Sequence, residues 1–525
     1  GVTGSGKTEV YLQTIEHAIG SRAEGGGAIV LVPEIALTPQ LADRFRARFG
    51  EQVAVLHSGL TPRQRLDAWD QIRTGERSIV IGPRSALFAP LKDLRVIVVD
   101  EEHDPSFKQE EGVRYSARDL ALVRAKASAA VVILGSATPS LESYALAREG
   151  RHVYLRLLTR PTPRPLPEVE LLSLAVHRPD PETMLSAKLR AAVLECVEGG
   201  DQAILFLNRR GYTASMTCME CGKLQACPDC SAPSMTYHLE RNRLMCHLCG
   251  HIADSPRACL SCGAEALVHG RGGTERIEVA LAQALPGLRI LRLDRDTSRG
   301  RKLLDVLRRF RNREADVLVG TQMLSKGHDF PGVTLVGIVQ GDHALGLPDP
   351  RAAERTFALL TQVAGRAGRG EKAGRVIIQA WSINHPALVH AQQHDFDAFA
   401  EEELRAREEL HNPPSGYLAL LRVSGRNSDA VRSRIHKLAE RCRAVVSHHR
   451  AAGDEGFDEG VQILGPVASP IERINQRTRW QLLLRGRSRS PLRQVLHALR
   501  PLLGSEGRGA GETRAAVDVD PQSFG

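Results

Sequence analysis

No apolar run in this chain of 525 residues approaches the roughly 18 that a membrane span requires, and no unit recurs at a solenoid period. Charge of neither sign dominates. The 70 Lys and Arg stand against 61 Asp and Glu, and the net +9 permits a polyanionic partner without requiring one. Lysine is scarce, with 10 Lys to 60 Arg. The planar guanidinium suits bidentate contact with phosphate, but so strong a skew also follows from a GC-rich coding sequence. Apolar residues make up 42% of the chain, which excludes wholesale disorder. The length corresponds to about 3.5 domains at ~150 residues each.

Cysteine is sparse except in one place. Eight of the ten lie in four CxxC pairs: Cys218/Cys221, Cys227/Cys230, Cys246/Cys249 and Cys259/Cys262. A disulfide framework would need an oxidising compartment. Pairs repeated at such short intervals fit tetrahedral thiolate zinc sites instead, and eight thiolates make two four-Cys sites. Few acids or hydroxyls accompany them, so the zinc is expected to be structural. Spacing alone leaves open which pairs share an ion. His247 and His251 are further possible ligands that eight Cys make unnecessary. Cys196 and Cys442 stand alone and are expected to be buried thiols.

Short apolar, β-rich runs alternate with longer helical patterns, the signature of βαβ units and parallel sheets. The first set is 28–32, 53–56, 78–81, 96–99 and 130–134. A Pro-rich stretch over 160–167 reads as a linker. The second set is 202–207, 288–293, 316–319, 335–339 and 375–379, and the Cys-rich segment interrupts it. The expected fold is α/β: a first lobe over 1–158, a second over 159–400 with a zinc-binding insertion at 216–264, and a small α+β domain over 401–525. A charged helix is expected over 401–410, strands at 418–423 and 480–484, and a frayed Gly-rich end over 505–525.

Gly1-Val2-Thr3-Gly4-Ser5-Gly6-Lys7-Thr8 fits the phosphate-loop pattern GxxxxGK[ST]. Backbone N–H groups of such a loop wrap phosphates, Lys7 would reach the β/γ-phosphates, and Thr8 would hold Mg²⁺. A helix over 9–19 would place its N-terminus against the anion. The strand that normally precedes such a loop is not in the sequence. The chain therefore reads as a fragment, with weak nucleotide and fork binding and a marginally stable first lobe as expectations. The run Val96–Val99 ends in Asp100-Glu101-Glu102-His103, acids at the carboxyl end of a buried strand, where ligands of such sheets bind. Asp100 would hold Mg²⁺, directly or through water, and Glu101 would orient or deprotonate the attacking water.

These residues, with Gly135-Ser136-Ala137-Thr138, Gly320-Thr321-Gln322 and Gln362-Val363-Ala364-Gly365-Arg366-Ala367-Gly368-Arg369, resemble the ordered motifs of superfamily-two helicases. Leu31–Thr38, Phe206–Tyr212, the eight-Cys insertion and Ser325–Pro331 narrow the resemblance to the primosomal replication-restart helicases, the PriA family. That resemblance implies two RecA-like lobes and an ATP-dependent helicase moving 3′ to 5′ on DNA. Such an enzyme recognises stalled or collapsed forks and starts primosome assembly. It implies forked and single-stranded DNA, primosome proteins, single-strand DNA-binding protein and factors loading the replicative helicase as partners. It further implies a cytoplasmic, nucleoid-associated bacterial protein with no membrane attachment. It connects the Cys pairs in a nested way: Cys218, Cys221, Cys259 and Cys262 on one zinc, Cys227, Cys230, Cys246 and Cys249 on the other.

Arg366 and Arg369 are read as arginine fingers, with DNA phosphates or local acids as the other possible partners. His103 is read as a hydrogen-bonding residue between lobes. Ser136 and Thr138 are read as coupling nucleotide state to DNA. Phe107, Lys108, Arg114 and Tyr115 are read as an aromatic loop that stacks bases and meets phosphates, against the plainer reading that the rings pack in the core. Two other functions compete: a non-catalytic DNA-binding primosome loader, and another superfamily-two translocase. Intact Lys7, Thr8, Asp100, Glu101 and Arg366 disfavour the first, and the eight-Cys insertion disfavours the second.

Overall fold

The computed structural model describes residues 5–20, 26–33, 39–157, 165–180, 182–207, 216–218, 227–228, 235–238, 243–246, 251–254, 256–259, 262–265, 267–269, 274–293, 301–321, 324, 330–346, 349–368, 370, 372–454, 457, 460–507 and 511–524. Contacts divide the chain into two compact units. The first takes Gly1–Glu168 together with Gln322–Thr334 and Ala358–Arg375. The second takes Val169–Thr321, Leu335–Phe357 and Val376–Gly525.

The first unit opens with α1 (Lys7–Gly20), β1 (Gly27–Leu31), α2 (Pro39–Phe49), β2 (Val53–Val55) and α3 (Pro62–Thr74). It continues with β3 (Ile79–Gly82), β4 (Leu94–Asp100), α4 (Ala117–Ala127), β5 (Val131–Gly135) and α5 (Leu141–Arg148). The strands form a sheet in the order β2-β3-β1-β4-β5, with every neighbouring pair parallel. Both faces are covered, which is why the strands read as unbroken apolar runs. Ala28 and Val30 pack with Tyr11, Leu12 and Ile15 of α1 on one face. Ile29 and Leu31 pack with Ala117, Ala121 and Ala125 of α4 on the other. The helix starts are chemically marked. Thr61 and Gln64 form a reciprocal capping box ahead of Pro62 at the start of α3. The Ser116 and Ser140 hydroxyls cap α4 and α5.

The second sheet is built from β6 (Glu168–Ser173), then α6 (Ala187–Glu198) and β7 (Gln202–Leu207). The Cys-rich insertion follows, with β8 (Met216–Cys218), β9 (Met235–His238), β10 (Arg243–Cys246), β11 (Ile252–Asp254) and β12 (Leu267–His269). Then come α7 (Thr274–Ala284), β13 (Ile290–Leu293), α8 (Arg301–Arg311), β14 (Val317–Gly320), β15 (Val333–Val339), α9 (Ala352–Ala364) and β16 (Arg375–Ala380). The sheet order is β13-β14-β7-β15-β16-β6, and β13, β14 and β7 run parallel. Its sixth strand, β6, lies just past the Pro-rich stretch and was not anticipated from the sequence. The insertion folds as two small antiparallel ladders, β11-β10-β9 and β12-β8.

The remainder carries α10 (Pro386–Gln392), α11 (Phe396–Glu409), β17 (Tyr417–Gly425), α12 (Ser428–Ala451), β18 (Val461–Ile474), β19 (Arg477–Gly486), α13 (Arg489–Leu499), β20 (Gly504–Glu506) and β21 (Thr513–Val519). A sheet in the order β18-β19-β17-β21-β20 packs Leu421, Val423, Leu482 and Leu484 against Ile435, Leu438 and Cys442 of α12 and Val495 of α13. The structure corrects the expectation of a frayed end. Thr513–Val519 pairs antiparallel with β17 from Ala419↔Val519 to Gly425↔Thr513, an inner position of the sheet. Buried Arg434 fixes it further, donating to the Thr513 carbonyl at 2.6 Å and hydroxyl at 3.0 Å.

Candidate active site

The carboxyl ends of β4 and β5, the N-terminus of α1 and the end of α9 supply the side chains of one site within the first unit. Helix α1 begins at Lys7, with the Glu9 N–H donating to the Gly6 carbonyl at 2.9 Å. Gly6 has φ +88°, a left-handed conformation open to glycine. Ser5 is 7% exposed and its buried hydroxyl has no partner among the described residues. A buried hydroxyl without a partner is costly, and a phosphate oxygen in the loop would supply one. That orphaned donor fits a phosphate group of a nucleoside triphosphate. Gly1, Val2, Thr3 and Gly4 lie outside the described residues.

Asp100 ends β4. The Tyr11 hydroxyl, one helical turn past Lys7, donates to its Oδ1 at 2.9 Å. Burial, then repulsion from Glu101, pushes the Asp100 carboxyl up to about 6, against the pull of Lys7 and the Tyr11 hydrogen bond. Burial beside Asp100 raises the Tyr11 phenol as well. A divalent cation bound to Asp100 would favour the ionised carboxylate. Glu101 has φ +51°, left-handed backbone that costs of order 1–3 kcal/mol at a non-glycine residue.

The four acidic-box residues then diverge. Glu102 turns inward, is 3% exposed, and accepts from the Ser140 N–H at 2.6 Å, the Ser140 hydroxyl at 3.0 Å and the Ser143 hydroxyl at 2.9 Å. Arg118 lies 3.5 Å from Glu102 and donates to the Ser140 hydroxyl at 2.7 Å. Burial alone would lower the Arg118 guanidinium, but Asp119, Glu102 and Glu142 outweigh it and hold it charged. Glu102 thus ties the acidic box to the N-terminus of α5.

His103 faces the other way. Its Nδ1 is 2.7 Å from the Ser136 hydroxyl and its Nε2 is 3.0 Å from the Gln362 amide nitrogen. The amide nitrogen can only donate, so Nε2 accepts and Nδ1–H donates to Ser136. The same Gln362 nitrogen donates to Glu101 Oε2 at 3.3 Å. Ser136 also accepts from the Thr138 N–H at 3.0 Å. One chain of hydrogen bonds therefore runs from Glu101 through Gln362 and His103 to Ser136 and Thr138.

The structure brings Lys7, Asp100, Glu101, His103, Ser136 and Thr138 together. Arg366 lies just past α9 and is buried, while Arg369 lies outside the described residues. Phe107 is 2% exposed and belongs to the first-unit core. The Tyr115 ring meets Phe88 edge-on at 5.3 Å, and burial raises its phenol. Lys108 pairs with Ser116 across a hairpin-like excursion whose exposed part includes Glu110, Glu111 and Val113. In this conformation the Phe107 ring packs in the core, and base stacking would require it to leave.

A cavity of about 420 Å³ opens beyond β1, β2 and β3, lined among others by His57, Arg65, Trp69, Arg84 and Ser85. In the insertion, Cys227 and Cys259 are buried and Cys262 is exposed. The Gly263 N–H donates to the Cys259 carbonyl at 2.8 Å, with Gly263 at φ +75°. That hydrogen bond across a CxxC pair and the repetition of such pairs fit thiolate ligation of zinc. Cys218 and Cys246 end β8 and β10. The expectations on Cys221, Cys230 and Cys249 fall outside the described residues.

Tyr11, Glu102 and Gln362 received no role from the sequence. Tyr11 lies four residues after Lys7, on the same helix face, a spacing that points toward the phosphate loop. Nothing in the spacing points to the partners of Glu102 or Gln362.

Comparison with known proteins agrees with this geometry. A DEAD/DEAH box helicase model matches residues 1–146, and a helicase conserved C-terminal domain matches 266–371. The two lobes are those of a superfamily-two helicase. Within that class, a PriA DNA helicase Cys-rich region model matches 227–252 and a primosomal protein N C-terminal domain matches 408–522. The replication restart protein PriA of Bacillus subtilis is 45% identical over 94% of this chain and 60% of that protein. Its counterpart in Haemophilus influenzae is 42% identical over 100% of this chain and 69% of that protein. The Treponema pallidum counterpart is 39% identical over 99% of this chain and 76% of that one. The chain belongs to the PriA family of replication restart proteins. It spans 60% of the length of the Bacillus subtilis relative and 62% of the Synechocystis one.

Proposed function

We propose that this chain is the motor of an ATP-dependent DNA helicase that moves 3′ to 5′, recognises stalled or collapsed forks and starts primosome assembly. The observation that carries the reading is the hydrogen-bond chain joining Glu101 to Gln362, His103 and Ser136 beside the phosphate-loop helix. Lys7 would hold the β/γ-phosphates, and Thr8 and Asp100 would hold Mg²⁺. The bound ion would neutralise charge on the transferred phosphoryl group. Glu101 orients and deprotonates water, its carboxylate held by Gln362. Arg366, with Arg369, stabilises charge in the transition state. Because Gln362 touches both Glu101 and His103, a change at the nucleotide moves the contacts of Ser136 and Thr138. The cavity lined by Arg65, Trp69 and Arg84 offers cations and an aromatic face to a DNA strand. Phe107, Lys108, Arg114 and Tyr115 would couple that strand to hydrolysis.

The eight insertion cysteines would hold two zinc ions. Cys218, Cys221, Cys259 and Cys262 take the outer one and Cys227, Cys230, Cys246 and Cys249 the inner, a platform for DNA or primosome proteins. Single-strand DNA-binding protein and helicase-loading factors are the expected partners at the nucleoid. The test is ATP hydrolysis with and without forked DNA. Hydrolysis should rise with forked or single-stranded DNA more than with blunt duplex, and Lys7→Ala should abolish it with melting temperature unchanged. A Lys7→Ala chain hydrolysing at the wild-type rate overturns the reading. Metal analysis should return two zinc ions per chain, and Cys227→Ser should lose one while keeping ATPase activity.

A further inference from the structure

Asp100 and Gly135 are paired residues on adjacent parallel strands, at the carboxyl ends of β4 and β5. The Tyr11 ring enters from α1 and is 3% exposed. Its hydroxyl reaches Asp100 Oδ1 at 2.9 Å across the space a side chain at position 135 would fill. A Cβ on Gly135 would lie 1.7 Å from the Tyr11 hydroxyl and 2.7 Å from Cζ of its ring. No side chain tolerates such contacts, so glycine at 135 is what admits the phenol.

We infer that Tyr11 is a positioning residue for the Mg²⁺ carboxylate, holding Asp100 through Oδ1 so that Oδ2 is aimed at the ion, and that Gly135 exists to make room for it. The inference rests on Asp100 being an Mg²⁺ ligand, as proposed above. The physical reason is general. A ligating carboxylate is free to rotate unless a second group fixes one oxygen, and such outer partners commonly set metal affinity and activity by 10–100-fold. Lys7 and Tyr11 occupy one face of α1 a turn apart. The same helix thus aims the ammonium at the phosphates and the phenol at the metal carboxylate. A shift of α1 would move both together.

The test uses the full chain and Mn²⁺ as a paramagnetic probe for the Mg²⁺ position, with ADP as the nucleotide. Mn²⁺ affinity of the nucleotide complex is read by electron paramagnetic resonance. Nucleotide affinity in magnesium-free buffer without chelator is read by fluorescence. Tyr11→Phe keeps the ring and removes the donor. It should weaken Mn²⁺ binding roughly ten-fold or more while metal-free nucleotide affinity stays within two-fold. A merely structural role would lower both together. Gly135→Ala should weaken Mn²⁺ binding in the same way. In a Tyr11→Ala background the same Gly135→Ala change should cost nothing further, because the clash is gone. Unchanged Mn²⁺ affinity in Tyr11→Phe, or additive losses across the Tyr11/Gly135 cycle, overturns the inference while leaving the site assignment standing. A wild-type chain that binds ADP but no Mn²⁺ overturns the assignment of Asp100 itself, and the inference with it.

Discussion

The first-unit sheet and the C-terminal sheet each have five strands, yet they put their polar groups to opposite uses. The first is parallel and covered on both faces, so its side chains pack and its candidate site gathers at the carboxyl ends of the strands. There Asp100 is half-buried and Glu102 buried, each beside few, specific partners. The C-terminal sheet is antiparallel, and the buried Arg434 of α12 braces backbone: it donates to the carbonyls of Thr513 and Leu502. In the first sheet buried polarity holds the candidate site residues in place; in the second it braces backbone. Loss of a buried group in the first should cost activity along with stability. Loss in the second should cost stability alone.

The largest effect that would break this contrast comes from ending the chain at Gly511. The cut removes β21 from an inner position and uncovers β17. The C-terminal domain should lose cooperative unfolding altogether, exceeding the ~5 kcal/mol that holds a small domain together. Nucleotide binding by the first unit should persist. Hydrogen exchange resolves the two regions, and protection retained in β17 would contradict the inner placement of β21.

A smaller effect is expected in the first unit. Glu102→Ala leaves Arg118 and Ser140 without their buried acceptor, a loss of about 3 kcal/mol by the usual cost of breaking a buried pair. Urea denaturation measures it, and ATP hydrolysis should fall more steeply than stability because the acidic box loses its anchor on α5. Equal, small losses in both would show that Glu102 is only packing.

The smallest effect concerns pH. Burial pushes the Cys442 thiol up to about 12 from an ordinary value near 9.0. The unfolded chain then releases this proton before the folded one does. Stability contributed by the neutral thiol is whole below pH 9 and declines as pH rises toward 12, by about 1.4 kcal/mol per unit. Cys442→Ala should remove that slope from the C-terminal transition, seen by comparing both chains at pH 8.5 and 10. First-unit melting should not register the substitution.

The same contrast explains what could be read in advance. Strands β1, β4 and β7 were legible to within two residues because burial on both faces leaves runs such as Ala28–Leu31, Val96–Val99 and Gln202–Leu207. In the C-terminal sheet, β18 alternates exposure and is interrupted by Gly465, Pro466 and Pro470, so no periodicity announced it. Helix α12 hid its apolar stripe among Arg, Lys and His. Strand β21 was masked by the glycines before it. The phosphate loop and acidic box were legible because each is written in consecutive residues. Their partners are not: Tyr11 is 89 residues from Asp100, and Gln362 is 261 from Glu101. Such pairs exist only once the sheet has brought strand ends together.

The neck of the Cys-rich insertion has a consequence for how members of this family diversify. Met216 stands opposite His269 and Cys218 opposite Leu267, so the segment leaves and returns through one antiparallel pair. Opposed backbones in such a pair lie about 5 Å apart, so the host sheet meets the whole excursion as a hairpin. The cassette between those strands can lengthen, shrink or be exchanged without rethreading the parallel order around β7. Doubling its length would add only ~0.6 kcal/mol of closure entropy. New contact surfaces can be tried at this neck while the host strands keep their order.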